Sequence, residues 1–204
     1  MAQNVFGYRT RSLGGGFDIF RKVDENGAFG GLADRLPVAR PFIIPAGTPC
    51  KMATAGVIKL LNYFKVETDS ATSTVRVYKG EGLAVPVLDR NIMAEPATFA
   101  TAGKSVSIDA IVESDTYYTL TLSSDLGSLV DGDLLCDADS LHASTAKVYV
   151  APDAITRRDI FLEEGDTAAS ATGVVRGTAY SIRLPFHTQE VEDACKLIHF
   201  EYNI

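Results

Sequence analysis

Four aspartates within nine residues, Asp131, Asp133, Asp137 and Asp139 in DGDLLCDAD, make the densest concentration of ligand-type side chains in this chain. Oxygen-rich clusters suit Ca²⁺, whose loop hand takes ligands at positions one, three and five, a glycine at six and a glutamate at twelve. Here Gly132 comes second and Leu134-Leu135 splits the acids into two pairs, so a surface β-turn is the better reading. Glu163-Glu164-Gly165-Asp166 reads as another solvated turn. Glycosidase chemistry needs two carboxyl groups facing each other across a cleft, and no spacing in this sequence sets such a pair.

The remaining reactive residue types give no stronger signal. His142, His187 and His199 lack ligand spacing, and Cys50, Cys136 and Cys195 lie far apart with no CxxC. The three thiols read as buried free cysteines of a reducing compartment rather than a zinc or redox motif. HExxH, GxSxG and paired Cys/His nucleophile patterns are missing. Cys195, beside Ala194, and His199, inside an apolar run, both read as packing residues. The sequence therefore reads as a non-enzyme, with no cofactor and no metal site.

Aromatic and basic side chains at the N-terminus offer binding rather than catalysis. Tyr8, Arg9, Arg11, Phe17, Phe20 and Phe29 lie in a glycine-rich stretch that supplies no core of its own. Isolated aromatics on an extended segment can serve as anchors on a partner, or they can fold back over their own body. Gly14, Gly15 and Gly16 are consecutive, and ordering such a run costs much backbone entropy. Their GxG neither follows a strand nor opens a helix, so it is not read as a phosphate loop. Residues 1–40 are accordingly expected to be an extended arm, loose until a neighbour holds it.

Composition narrows the partners. The net charge of −7 and a pI near 4.9 argue against a phosphate backbone as the main ligand. Arg9/Arg11, Arg35/Arg40 and Arg157/Arg158 are local basic pairs rather than a basic stripe. No run approaches the ~18 apolar residues of a membrane span, and MAQNVFGYRT does not read as a secretory signal. At 46% hydrophobic residues the chain has enough apolar material for a true core.

The elements that must position these groups read as short strands. Residues 42–44 sit between Pro41 and Pro45, and Ala46-Gly47 turns the chain. Residues 57–66 read as one longer strand, with an amphipathic helix as the alternative, and residues 66–88 as a hairpin with strands at 74–78 and 83–88. The clearest hairpin spans 104–122: Val106, Ile108 and Ala110 alternate with polar residues, Glu113-Ser114-Asp115 turns, and Tyr118, Leu120 and Leu122 alternate again. Further strands are expected near 134–135, 147–150, 159–162, 174–184 and 197–202. A helix at 188–196 carries Thr188 as N-cap, acids in its first turns and Lys196 at its end. The sum is an all-β barrel or sandwich of about ten to twelve short strands with one short C-terminal helix. The domain expectation is an arm over 1–40 and a β-rich body over 41–204, with 67–146 as a possible inserted β subdomain.

Two stretches carry a resemblance. The first is RSLGGGFDI at residues 11–19, continuing through RPFIIPAGT at 40–48. The second runs from Gly165-Asp166 through GVVRGTAY at 173–180 to Leu184-Pro185, then a helix and Leu197-Ile198-His199-Phe200. Both resemble parts of the head fibre and head decoration proteins of tailed phages, of the kind found in phages and prophages of gut Bacteroidetes. The resemblance implies a virion structural protein, made in the host cytoplasm, that binds the major capsid protein on the capsid exterior. It also implies a homo-oligomer, with a trimer favoured; the acidic balance and the lack of a long apolar run give no nucleic-acid and no membrane partner. It leaves residues 67–146 unaccounted for and transfers no catalytic residue. A surface-glycan or protein-binding β-sandwich is the alternative, built on Tyr117 and the 131–139 loop.

Overall fold

The computed structural model of the chain describes residues 19–27, 31–34, 42–52, 56–80, 82–162 and 169–202. Among the described residues the first strands are β1 (Phe20–Asn26), β2 (Gly31–Asp34), β3 (Phe42–Ile44), β4 (Pro49–Met52) and β5 (Val57–Leu60). Six more follow: β6 (Tyr63–Lys65), β7 (Thr74–Tyr78), β8 (Asn91–Ala94), β9 (Ser105–Glu113), β10 (Tyr117–Leu122) and β11 (Leu134–Asp137). The chain closes with β12 (Ala154–Thr156), β13 (Ile160–Leu162), β14 (Ala169–Ala171), β15 (Gly173–Tyr180), a 3-10 turn (Ser181–Arg183), helix α1 (Gln189–Ala194) and β16 (Ile198–Glu201). The fold is all-β with one short C-terminal helix, as the alternation in the sequence predicts.

The chain divides into two compact units: residues up to Leu60 together with Pro152 onward, and Leu61–Ala151. The second is inserted between β5 and β12 of the first, and the expected subdomain at 67–146 falls inside it.

Among the described residues the first unit is an open sheet in the order β1-β15-β12-β4-β5-β2-β14, with β16 beside β15 and a separate β3–β13 pair. Most neighbours are antiparallel, but β2–β5 and β15–β16 are parallel. Its core is assembled from Ile44, Cys50, Ile58, Leu60, Ile160 and Leu162 with small residues such as Ala154 and Ala171. Part of the expected arm is sheet: β1 pairs with β15, and β2 lies between β5 and β14. The missing periodicity at 20–26 has a physical cause. Three register shifts interrupt the β1–β15 ladder, and each bulge resets the in/out alternation that a sequence reading depends on. Gly177 permits the close approach, because a Cβ there would stand 2.5 Å from the Lys22 carbonyl oxygen.

The IPAGT turn is held from several sides. Gly47 has φ +87°, the left-handed region that glycine enters without steric cost. The Thr48 hydroxyl donates to the Pro45 carbonyl at 2.7 Å, and the Ala46 amide donates to Asp159 Oδ1 at 2.7 Å. The buried Thr156 hydroxyl donates to the same Pro45 oxygen at 3.1 Å.

The second unit is a sheet in the order β6-β11-β8-β9-β10-β7, every pair antiparallel. A bridge between Val66 and Val77, with the Glu67 amide donating to the Arg76 carbonyl at 2.9 Å, ties β7 back to the end of β6. The sheet thus curls into a six-stranded barrel whose two ends join at this one bridge. Phe64, Val66, Val75, Val77, Ile92, Val106, Ile108, Leu120 and Leu135 fill the interior. Burying each such side chain contributes about 1.5–3 kcal/mol relative to exposure. The hairpin expected at 104–122 is β9–β10, and the strand expected at 74–78 is β7.

Several expectations are corrected. The run at 57–66 is two strands in two units: Ile58 and Leu60 belong to one core, Phe64 and Val66 to the other. The alternation is interrupted at the junction, where apolar Leu61 and polar Asn62 fall on the wrong phase and are both buried, a break that the apolar content of the run as a whole obscures. No strand forms at 83–88, where Pro86 has no amide to give to a ladder. Residues 147–150 contribute only the isolated Ala138–Val148 bridge, and β15 stops at Tyr180, where the 3-10 turn begins. Thr188 occupies the N-cap in extended conformation, but its side chain makes no capping hydrogen bond.

Candidate functional site

The expected arm anchors fall largely beyond what the structure describes: Tyr8, Arg9, Arg11, Phe17 and Phe29 lie outside the described residues. Phe20 opens β1, half-buried and paired with Ala179. Next to it, Arg21 donates to Glu201 Oε1 at 2.9 Å, an exposed pair worth at most about 1 kcal/mol.

The acidic DGDLLCDAD stretch does not act as one group. Asp131 and Asp133 belong to the turn before β11: the Asp131 amide donates to Asp69 Oδ1 at 2.8 Å, and Val130 donates to Asp133 Oδ2 at 2.9 Å. Asp139 is exposed, and its Oδ1 accepts from the Lys147 amide at 3.0 Å. That backbone hydrogen bond holds its carboxyl below the usual carboxylate range. Asp137 corrects the surface-turn expectation, because it is fully buried in β11. Its Oδ2 accepts from the Asn62 amide at 2.7 Å and faces the Arg90 guanidinium at 3.6 Å. Among the described residues, no group of three or more His, Cys, Asp or Glu is placed to hold a metal ion. No helix among them is long and apolar enough to cross a membrane.

All three thiols are buried. Burial pushes Cys195 up to about 12 and holds Cys50 and Cys136 well above the ordinary thiol value. They stay protonated near neutrality, which makes them poor nucleophiles. His199 corrects its packing assignment: on β16 it alternates with buried Ile198 and is exposed.

The tightest polar cluster was not legible in the sequence. The His187 Nε2 lies 2.9 Å from Glu192 Oε1 and 3.2 Å from Ser181 Oγ, while Nδ1 lies 2.9 Å from the Pro185 carbonyl oxygen. The Tyr202 hydroxyl donates to the same Glu192 oxygen, and Phe200 stacks on the imidazole at 5.9 Å. Serine, histidine and glutamate together invite comparison with a nucleophile relay. In such a relay the acid orients Nδ1 while Nε2 alone faces the serine. Here Ser181 and Glu192 compete for Nε2, and a backbone carbonyl takes Nδ1. The cluster is a tie among the 3-10 turn, α1 and the end of β16. No local spacing connects 181, 187, 192 and 202, so only the tertiary fold could assemble it.

A second group lies on the outer face of the barrel. Across β7 and β10, Tyr78 pairs with Tyr117, Arg76 with Thr119 and Thr74 with Thr121. The β9 partners Val112 and Ala110 extend the last two rows. These residues point away from the core formed by Val75, Val77, Leu120 and Ile108. The Arg76 guanidinium stands 4.8 Å from the Tyr117 ring and the Lys65 ammonium 5.8 Å from the Tyr78 ring, geometry that a cation–π attraction favours. The Tyr78 hydroxyl donates to Asp131 Oδ1 at 3.4 Å, and the Asp131 charge raises the phenol above its ordinary value. The sequence singled out Tyr117 and the 131–139 loop. It did not disclose Tyr78 or Arg76, because strand pairing across the barrel supplies them. No family model, no curated protein and no solved structure matches the chain.

Proposed function

We propose that the protein is a structural component of a phage or prophage virion, a head fibre or head decoration protein that binds the outer surface of the capsid and stabilises the head. It acts without catalysis, as a homo-oligomer on the major capsid protein. The observation that carries this reading is where the resembling stretches fall. Among the described residues, Ile19, the IPAGT turn, β15, α1 and β16 all lie in the open-sheet unit, while the unaccounted residues 67–146 lie in the inserted barrel. The resemblance thus traces one folding unit rather than scattered pieces.

The open sheet also supplies a physical means of attachment. Strands β1 and β14 terminate its order, and a terminal strand can accept a strand from a partner through main-chain hydrogen bonds. Residues 1–18 precede β1 in the sequence, and the attachment we propose requires them to engage a neighbouring subunit. An acidic chain of net charge −7 suits an outward position better than contact with packaged DNA.

The test is a truncation beginning at Ile19, which keeps β1 and β2; a cut at Leu36 would strip both strands from the sheet. Cosedimentation with shells of the cognate major capsid protein is expected to be lost in the truncated chain. Full retention of shell binding would sink the arm mechanism, and failure of the intact chain to bind any shell would sink the capsid reading. Light scattering of the intact protein is expected to give a trimer.

A further inference from the structure

We propose that the outer face of β7, β10 and β9 is a binding site for a neutral oligosaccharide, with Tyr78 and Tyr117 as its stacking platform. The two rings are directly opposed across an antiparallel pair, which puts their Cβ atoms roughly 4.5–5.5 Å apart. The next row is Arg76, Thr119 and Val112, the last 61% exposed. A pyranose presents an apolar C–H face bordered by hydroxyl groups. Tyrosine planes complement the first, while guanidinium, threonine hydroxyl and the Asp131 carboxylate supply donors and acceptors for the second.

The central strand decides against a peptide strand. β10 is hydrogen-bonded on both sides, to β7 and to β9, so around Tyr117 and Thr119 this face has only side chains with which to recognise a ligand. Charge decides against acidic glycans and nucleic acid. Glu67 stands 4.0 Å from Arg76 and offsets it, Asp131 borders Tyr78, and the whole chain carries −7. Lys65 and Arg76 stand against the two rings, but Glu67, Asp69 and Asp131 beside them leave the patch without net positive charge, which favours an uncharged partner. This site belongs to the inserted barrel, and it is independent of the arm and sheet edge invoked for capsid attachment.

The intact protein is tested on an array of neutral and acidic glycans, and hits are titrated calorimetrically alongside oligogalacturonate and oligo(dT). At least one neutral glycan is expected to bind. Tyr78→Ala and Tyr117→Ala are each expected to weaken it about tenfold, the equivalent of 1.4 kcal/mol. Thr119→Glu, an outward substitution between the tyrosine and valine positions, is expected to weaken it similarly while the melting temperature stays at the parent value. Shell cosedimentation of all three variants is expected to be unchanged, which separates this inference from the capsid reading. The proposal is overturned by an array without neutral hits, by binding confined to oligogalacturonate or oligo(dT), or by a neutral hit that Thr119→Glu and both alanine variants leave undiminished.

Discussion

The two units solve the same problem, hiding backbone and apolar surface, in opposite ways. The barrel of Leu61–Ala151 draws its strands from one continuous segment, pairs all of them antiparallel and closes on itself through Val66 and Val77. Its interior is filled by large aliphatic side chains and Phe64. The other unit collects strands from both ends of the chain, mixes parallel with antiparallel pairs and, among the described residues, stops at β1 and β14. Its core relies more on alanine and cysteine. On the outer face of β10, paired on both sides, only side chains can meet a partner, whereas a terminal strand of an open sheet can also offer main-chain groups. That difference is why we assign backbone-mediated attachment to the open sheet and side-chain recognition to the barrel.

Asp137→Ala should strike the barrel hardest. It removes the buried carboxylate that the Asn62 amide and the Arg90 guanidinium face, and breaking a buried pair from one side costs about 3–5 kcal/mol. Hydrogen exchange should show lost protection in β8, β9 and β11 while β15 keeps its own; equal loss in both units would mean that they unfold as one.

Gly177→Val probes the open sheet. The new Cβ would meet the Lys22 carbonyl at 2.5 Å, and forced overpacking costs about 1–3 kcal/mol. Faster exchange is expected at the amides of β1, with the barrel unaffected. Unchanged β1 protection would show that the ladder yields without detaching.

Glu192→Gln tests the tie at the end of the open sheet. It keeps an acceptor for Tyr202 but discards the charge beside His187, for an expected loss of about 1 kcal/mol. Denaturant unfolding followed by β16 exchange would read it, and no change in either would demote the cluster to a surface contact.

The smallest effect is electrostatic. Asp139 is held below the usual carboxylate range chiefly by the Lys147 amide. A lowered folded-state value means that its contribution is present above the unfolded carboxylate value and lost as pH falls through the folded one. In an NMR titration the Asp139 carboxyl and the Lys147 amide should share one midpoint below the ordinary aspartate value. An ordinary midpoint with a motionless Lys147 amide would remove this bond from the barrel's account.

Much of the barrel was legible because its contacts are local. Alternation at Val106, Ile108, Tyr118, Leu120 and Leu122 follows directly from the two-residue period of a strand, and β9 and β10 formed where it appears. The open sheet was less legible because its pairings are distant. Residues 20–26 find their partners in 174–179 through a bulged ladder, and no window of sequence contains both. The candidate sites follow the same division. Tyr117 could be picked out as an outward residue of its hairpin, but Tyr78 and Arg76 join it only through the β7–β10 register. Asp137 looked like any turn aspartate until β6 and β8 enclosed it on both sides.

Sequence by itself determined the all-β class, the short C-terminal helix, the buried thiols and the acidic balance, because composition, period and capping preferences are local properties of a chain. Tertiary structure alone decided that one sheet closes while the other stays open, that a carboxylate is buried beside an arginine, and that two tyrosines face outward side by side. Those outcomes depend on which distant strands meet and in what register, and pairing energy is settled only when the strands are brought together.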